Sequence, residues 1–152
     1  MCIRDSVEGP GFLPHLTGRE NLRAYWAATG RPVQEARFDE ALDVAALGGA
    51  VDRPVRSYSH GMRQRLGIAQ ALVGAPQALI LDEPANGLDP EGIAWMRTLL
   101  RDFADHGGTV LLSSHLLHEV QATADHLVVI SGGAVVAAGR LADLLALSLI
   151  HI

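Results

Sequence analysis

The sequence predicts an α/β fold, and three observations carry that reading. Ala78-Leu79-Ile80-Leu81 and Thr109-Val110-Leu111-Leu112 are continuous apolar runs of the kind that parallel strands bury on both faces. Each run stops abruptly in polar residues, Asp82-Glu83-Pro84 and Ser113-Ser114-His115. Between them lies a stretch with helical periodicity, so strand and helix alternate. The chain divides at about Tyr58, with mostly helical, irregularly punctuated sequence before it.

In the first part, Thr17 followed by Glu20 has capping-box spacing and opens a helix through Leu22, Tyr25 and Trp26, which Gly30 and Pro32 stop. A second helix is predicted over Val33 to Leu47, with Phe38, Leu42 and Ala45 at helical spacing and Gly48-Gly49 ending it. In the second part, Ser59 is an N-cap for a helix whose Met62, Leu66, Ala69 and Val73 form one apolar face, ended by Gly74 and Pro76. After the first strand, Asp89 is the predicted N-cap of a helix with Pro90 at its first position and Ile93, Met96, Leu100 and Phe103 on one side. Gly107-Gly108 end it. Strands at His126 to Ile130 and Ala134 to Ala138 flank a Ser131-Gly132-Gly133 turn as a closing hairpin, and Arg140 to Leu147 is a short terminal helix.

Composition bounds the function. The 152 residues are 49% hydrophobic and 19% charged, the profile of one globular domain. A net charge of −5, without a Lys and Arg stripe, argues against a nucleic-acid partner. A single cysteine, Cys2, excludes an internal disulfide or multi-cysteine metal site and fits the cytoplasm. No apolar run approaches the roughly 20 residues of a membrane span, so a membrane role requires a separate partner. Residues 1–6 lack periodicity and residues 148–152 lack any stop signal, and both are expected to be cloning or assembly scars.

Several positions carry candidate chemistry. A helix start bearing Ser59 and Gly61 offers unpaired N–H groups and a positive dipole end to a phosphate, although the same pair serves equally as a plain cap and turn. Asp82 and Glu83 lie at the carboxyl end of a buried strand, where ligands bind in such sheets. There Asp82 would hold Mg²⁺ directly or through water, and Glu83 would polarise an attacking water; the alternative is a solvated acidic turn. His115, at the end of the neighbouring strand, is placed to reach the same ligand; the alternative is a cap or surface histidine.

These segments together resemble the ATP-binding subunit of ABC transporters. Ser59-His60-Gly61-Met62-Arg63-Gln64-Arg65-Leu66 is similar to the signature motif LSGGQxQRL, Leu79 to Glu83 resembles Walker B with its catalytic glutamate, Asn86 to Asp89 resembles the D-loop, and His115 resembles the switch histidine. The resemblance runs from Val7 to about Leu145. It implies a partial P-loop NTPase-like ABC ATPase domain over residues 7–147, with an inserted helical subdomain at about 12–56 and an α/β part at about 57–147.

By the same resemblance Glu8 occupies the Q-loop position, where the family has Gln contacting Mg²⁺ or the attacking water. Ser59, Gly61 and Asp89 join it as nucleotide contacts, with Ser59 and Gly61 acting in trans across a dimer. Asp82, Glu83 and His115 act in cis. Tyr58, His60 and Met62 depart from the usual Leu, Gly and Gln of the signature. Glu8 with a Gly-Met signature resembles the ATPases of bacterial antibiotic and lantibiotic exporters.

The resemblance further implies ATP and Mg²⁺ as ligands, a transmembrane permease and a second, identical ATP-binding subunit as partners, and a place at the cytoplasmic face of the membrane. No G-x-x-x-x-G-K-[ST] loop occurs in the 152 residues. The expectation is therefore that this loop precedes Val7 in an intact protein and that this chain alone neither binds nor hydrolyses ATP. The competing functions are a soluble ABC-type ATPase acting on ribosomes or DNA, and a non-catalytic docking module.

Overall fold

A computed structural model describes residues 11–146. The expected scars, and Glu8 with them, lie outside the described residues. The described residues form α1 (Gly18–Ala28), α2 (Phe38–Ala45), α3 (His60–Leu72), β1 (Ala78–Asp82), α4 (Pro90–Asp105), β2 (Thr109–Ser113), α5 (Leu117–Thr123), β3 (His126–Ser131), β4 (Ala134–Arg140) and α6 (Leu141–Ala146), with three short 3-10 turns between α1 and α3. They fall into two compact units that meet in sequence between Ser113 and Ser114.

In the first unit, α1 starts as its sequence dictates. The Thr17 hydroxyl accepts from the Glu20 amide at 3.1 Å, and the Glu20 carboxylate accepts from the Thr17 amide at 2.8 Å. Both bonds satisfy amides that a helix start otherwise leaves unpaired. The predicted second helix is shorter than expected. Val33–Glu35 is a separate 3-10 turn, and Ala36 is extended. The Arg37 amide then leaves the helical pattern to donate to the Val73 carbonyl at 2.8 Å, so the helix begins only at Phe38. It stops at Ala46, which turns left-handed at φ 52°, ahead of the Gly48-Gly49 pair assigned as the stop.

Leu22, Trp26, Leu42, Ala45, Val51 and Val55 pack with Leu66 and Ala69 of α3, and with Val73 just past it, into one apolar cluster. The opposite side of α3 supplies Ile68 and Ala71 to a second cluster with Leu79 and Leu81 of β1 and Met96 and Leu100 of α4. One helix thus fastens the helical part to the strand part.

β1 and β2 pair in parallel, with Asp82 opposite Ser113. The α4 crossover between them covers one face of this two-stranded sheet through Met96 and Leu100. The strands were expected to be buried on both faces, and they are not. Ile80 is 38% and Leu111 64% exposed, because among the described residues of this unit no layer packs on the side they share.

The second unit holds α5, the β3–β4 hairpin and α6. Gly132 and Gly133 join the strands with φ of 56° and 77°. Two successive positive values fit the type I′ turn that matches strand twist, and glycine reaches them without strain. Leu141 and Leu144 of α6 are buried, whereas Val128, Ile130, Val135 and Val136 of the hairpin are exposed.

Candidate functional site

Ser59 adopts the extended N-cap conformation, and its hydroxyl accepts from the Met62 amide at 3.2 Å. That bond uses an oxygen lone pair and leaves the O–H free to donate, so capping α3 and contacting an anion are compatible. Gly61, the second residue of α3, bears an N–H of the unpaired first turn. A side-chain carbon added at Gly61 would meet only Leu88, at the ordinary contact distance of 3.5 Å. Steric demand from within the described residues therefore does not account for glycine at this position.

The two carboxylates stand at the end of β1. The Glu83 amide donates to the Ser113 hydroxyl at 3.0 Å, and that hydroxyl donates to Asp82 Oδ1. Ser113 thus fixes the orientation of Asp82 and the start of the acidic turn in one bridge. Sequence reasoning delivered Ser113 to this edge but gave it no role; the missing signal was the strand register, which pairs Asp82 with Ser113.

Glu83 has φ 46°, a left-handed value that costs a residue with a Cβ about 1–2 kcal/mol. Two tight turns follow. The Glu83 carbonyl accepts from the Asn86 amide at 3.0 Å, and the Ala85 carbonyl from the Leu88 amide at 3.1 Å, with Gly87 at φ 73°. The positive φ at the third position of the second turn is the reason for glycine there. Asp89 then caps α4, its carboxylate accepting from the Gly92 amide at 2.7 Å.

A second contact that sequence reasoning missed ties this loop to α3. His60 Nε2 lies 3.1 Å from the Asn86 carbonyl oxygen. The structure therefore brings Ser59 and Gly61 together with the Asn86–Asp89 loop, and Asp82 and Glu83 together with Ser113. His115 belongs to the second unit, in the exposed turn before α5, where the neighbouring Ser114 hydroxyl accepts from the Leu116 amide at 3.0 Å.

Asp82 suits a divalent ion of the Mg²⁺ type. It is an exposed carboxylate pinned through one oxygen, and Mg²⁺ is held by one or two carboxylates together with phosphate and water rather than by a full protein cage. The described residues contain no group of three or more His, Cys, Asp or Glu able to hold a metal by themselves. Nor is any described helix long and apolar enough to cross a membrane.

Comparison with known proteins gives one consistent answer. The ABC transporter family profile matches residues 3–86, more than half of the chain. The chain is 45% identical to the uncharacterized ABC transporter ATP-binding protein YdbJ of Bacillus subtilis, over 84% of this chain and 41% of that protein. It is 44% identical to the bacitracin transport ATP-binding protein BcrA of Bacillus licheniformis, over 86% of this chain and 43% of that protein. With the lantibiotic transport ATP-binding protein SrtF of Streptococcus pyogenes the identity is 39%, over 88% and 58%.

The chain thus spans about half the length of the curated relatives it matches. Among solved structures, an ATP-binding cassette of an ABC transporter in its ADP conformation superposes with a TM-score of 0.73 at 26% identity, covering 84% of this chain and 56% of the other. The ordered motifs, the parallel strand pair that ends in Asp82-Glu83 and these likenesses agree: the chain belongs to the ABC transporter ATP-binding family.

Proposed function

We propose that the intact protein is the ATP-binding and ATP-hydrolysing subunit of an ABC exporter that couples hydrolysis to transport of an antibiotic or peptide. The observation that carries this reading is the acidic turn at the end of β1. Asp82 and Glu83 are held side by side by a single serine, and Glu83 keeps a left-handed backbone conformation that a residue with a Cβ adopts at a cost. Strain retained at a strand end beside a carboxylate pair is the mark of a positioned reactive group. Export of such cargo is suggested by the printed functions of BcrA and SrtF.

The residues divide the labour. Glu83 orients and deprotonates the water that attacks the γ-phosphate. Asp82, with Glu8 at the Q-loop position, would hold Mg²⁺, which when bound would offset charge on the phosphate oxygens. His115 stabilises the γ-phosphate as charge develops. The Ser59 hydroxyl and Gly61 amide contact ATP held by a second, identical subunit, and Asp89 places the D-loop at that junction. The helical subdomain, about residues 12–56, passes dimer closure to a transmembrane permease at the cytoplasmic face. The net charge of −5 argues against a nucleic-acid partner.

The test is steady-state ATP turnover by the intact protein. Glu83→Gln keeps the size and hydrogen bonding of the side chain but not its basicity. It is expected to lower kcat at least a hundredfold while ATP-dependent dimerisation persists. Turnover at the wild-type rate in that variant would remove Glu83 as the base. ATP-independent binding to a permease, with no turnover in the wild type, would instead make the protein a docking module.

A further inference from the structure

The position that is glycine in the resembled signature carries His60, and the side chain has a definite occupation. Its Nε2 lies 3.1 Å from the Asn86 carbonyl, and since a carbonyl only accepts, Nε2 carries the proton. The ring also lies against Gly87. A side-chain carbon added there would stand 2.9 Å from His60 Cδ2 and 3.0 Å from Nε2. Gly87 thus serves both its turn and the seat of this ring.

The backbone of Asn86 is the junction. Its carbonyl accepts from His60, and its amide donates to the Glu83 carbonyl at 3.0 Å. Glu83 in turn donates its amide to the Ser113 hydroxyl, which bonds Asp82. Four hydrogen bonds, joined through the backbones of Asn86 and Glu83, therefore lead from the first residue of α3 to the Asp82 carboxylate.

From this geometry we propose that His60 is a positioning residue: it clamps the acidic turn to the start of α3, so that the Ser59–Gly61 segment and Glu83 are held in one fixed relation. Glycine at position 60 would leave the Asn86 carbonyl without this donor. The proposal rests on the assignment of Glu83 as the base. In a dimer whose α3 start faces the partner's nucleotide, His60 would link that contact to the same subunit's own catalytic carboxylate.

Three variants of the intact protein separate the hydrogen bond from bulk. His60→Leu fills the space without a donor. His60→Gln places an amide donor at comparable reach, and His60→Asn carries the same amide one carbon too short. Amide exchange of a peptide covering residues 82–88, read by mass spectrometry, is expected to quicken in His60→Leu and His60→Asn and to return towards wild type in His60→Gln. In the same variants kcat for ATP should fall roughly fivefold, with KM within about twofold and recovery in His60→Gln, the scale of one net hydrogen bond.

Exchange in residues 82–88 that is the same in all four proteins overturns the proposal, as does equal loss in His60→Leu and His60→Gln. If His60→Leu fails to fold, the contrast between His60→Gln and His60→Asn decides the question in its place. Failure of the catalytic reading looks different. There Glu83→Gln turns over normally, and the exchange readout alone still decides the role of His60.

Discussion

Glu83 is where residue identity and backbone conformation disagree. A left-handed φ of 46° favours glycine, yet the position carries a side chain with a Cβ. Two substitutions divide the functions of the residue. Glu83→Ala removes the carboxylate and keeps the backbone cost, whereas Glu83→Gly removes both. Glycine normally destabilises relative to alanine, but here Glu83→Gly is expected to be the more stable of the two by about 1 kcal/mol, with both inactive. Denaturant midpoints of the intact protein measure it, and the ordinary order, alanine above glycine, would show that the turn carries no such cost. Much at this scale was legible in the sequence. Asp82 and Glu83 announced themselves as carboxylates ending an apolar run, and Asp89 as a cap before proline. Glu83's conformation, the Ser113 bridge and the His60 contact were not legible, because each depends on register or on a turn geometry that residue type does not encode.

Caps were the most readable elements, since their hydrogen bonds are local. Thr17 and Glu20 form the anticipated reciprocal pair, and this gives α1 a pH dependence. The Thr17 amide, and then its hydroxyl, hold the Glu20 carboxyl below its ordinary value of 4.5, with His15 and Arg23 adding in the same direction. A carboxylate with a lowered native pKa stabilises the fold above its unfolded value and loses that contribution as pH falls through the lowered one. Exchange protection of the first turn of α1 should therefore be constant at neutral pH and decline below about pH 4.5, after correction for the pH dependence of intrinsic exchange. In Glu20→Gln that decline should be absent. At the start of α4, Asp89→Ala removes the acceptor for the Gly92 amide and should cost about 1 kcal/mol by chemical denaturation. The limits of α2 were unreadable for the opposite reason. Its start is set by the bond from the Arg37 amide to the Val73 carbonyl just past α3, a partner far away in sequence, and its end by Ala46 rather than by the glycines that periodicity pointed to.

At the scale of the first unit, two apolar clusters share α3, and Trp95 reaches from the strand-side cluster to the last turn of α2. Trp95 of α4 packs on the strand-side cluster, and its indole N–H donates to the Val44 carbonyl in the last turn of α2 at 3.1 Å. The Arg65 guanidinium of α3 covers the same ring, 4.7 Å from its centre. Three helices therefore converge on one indole. Carbonyls in the last turn of a helix lack partners within the helix, so the Trp95 bond satisfies a group that would otherwise depend on water. The Trp95→Phe change keeps most of the packing and removes the donor, and it should cost about 1 kcal/mol. Arg65→Met removes the cation and keeps most of the stem. If Arg65 acts through the ring face, Arg65→Met should cost less beside Trp95→Leu, which removes the ring, than it does alone, by about 0.5–1 kcal/mol. Strict additivity in that cycle would mean that the guanidinium and the indole are neighbours without mutual stabilisation. The Trp95–Val44 bond would then tie α2 to α4 without help from Arg65.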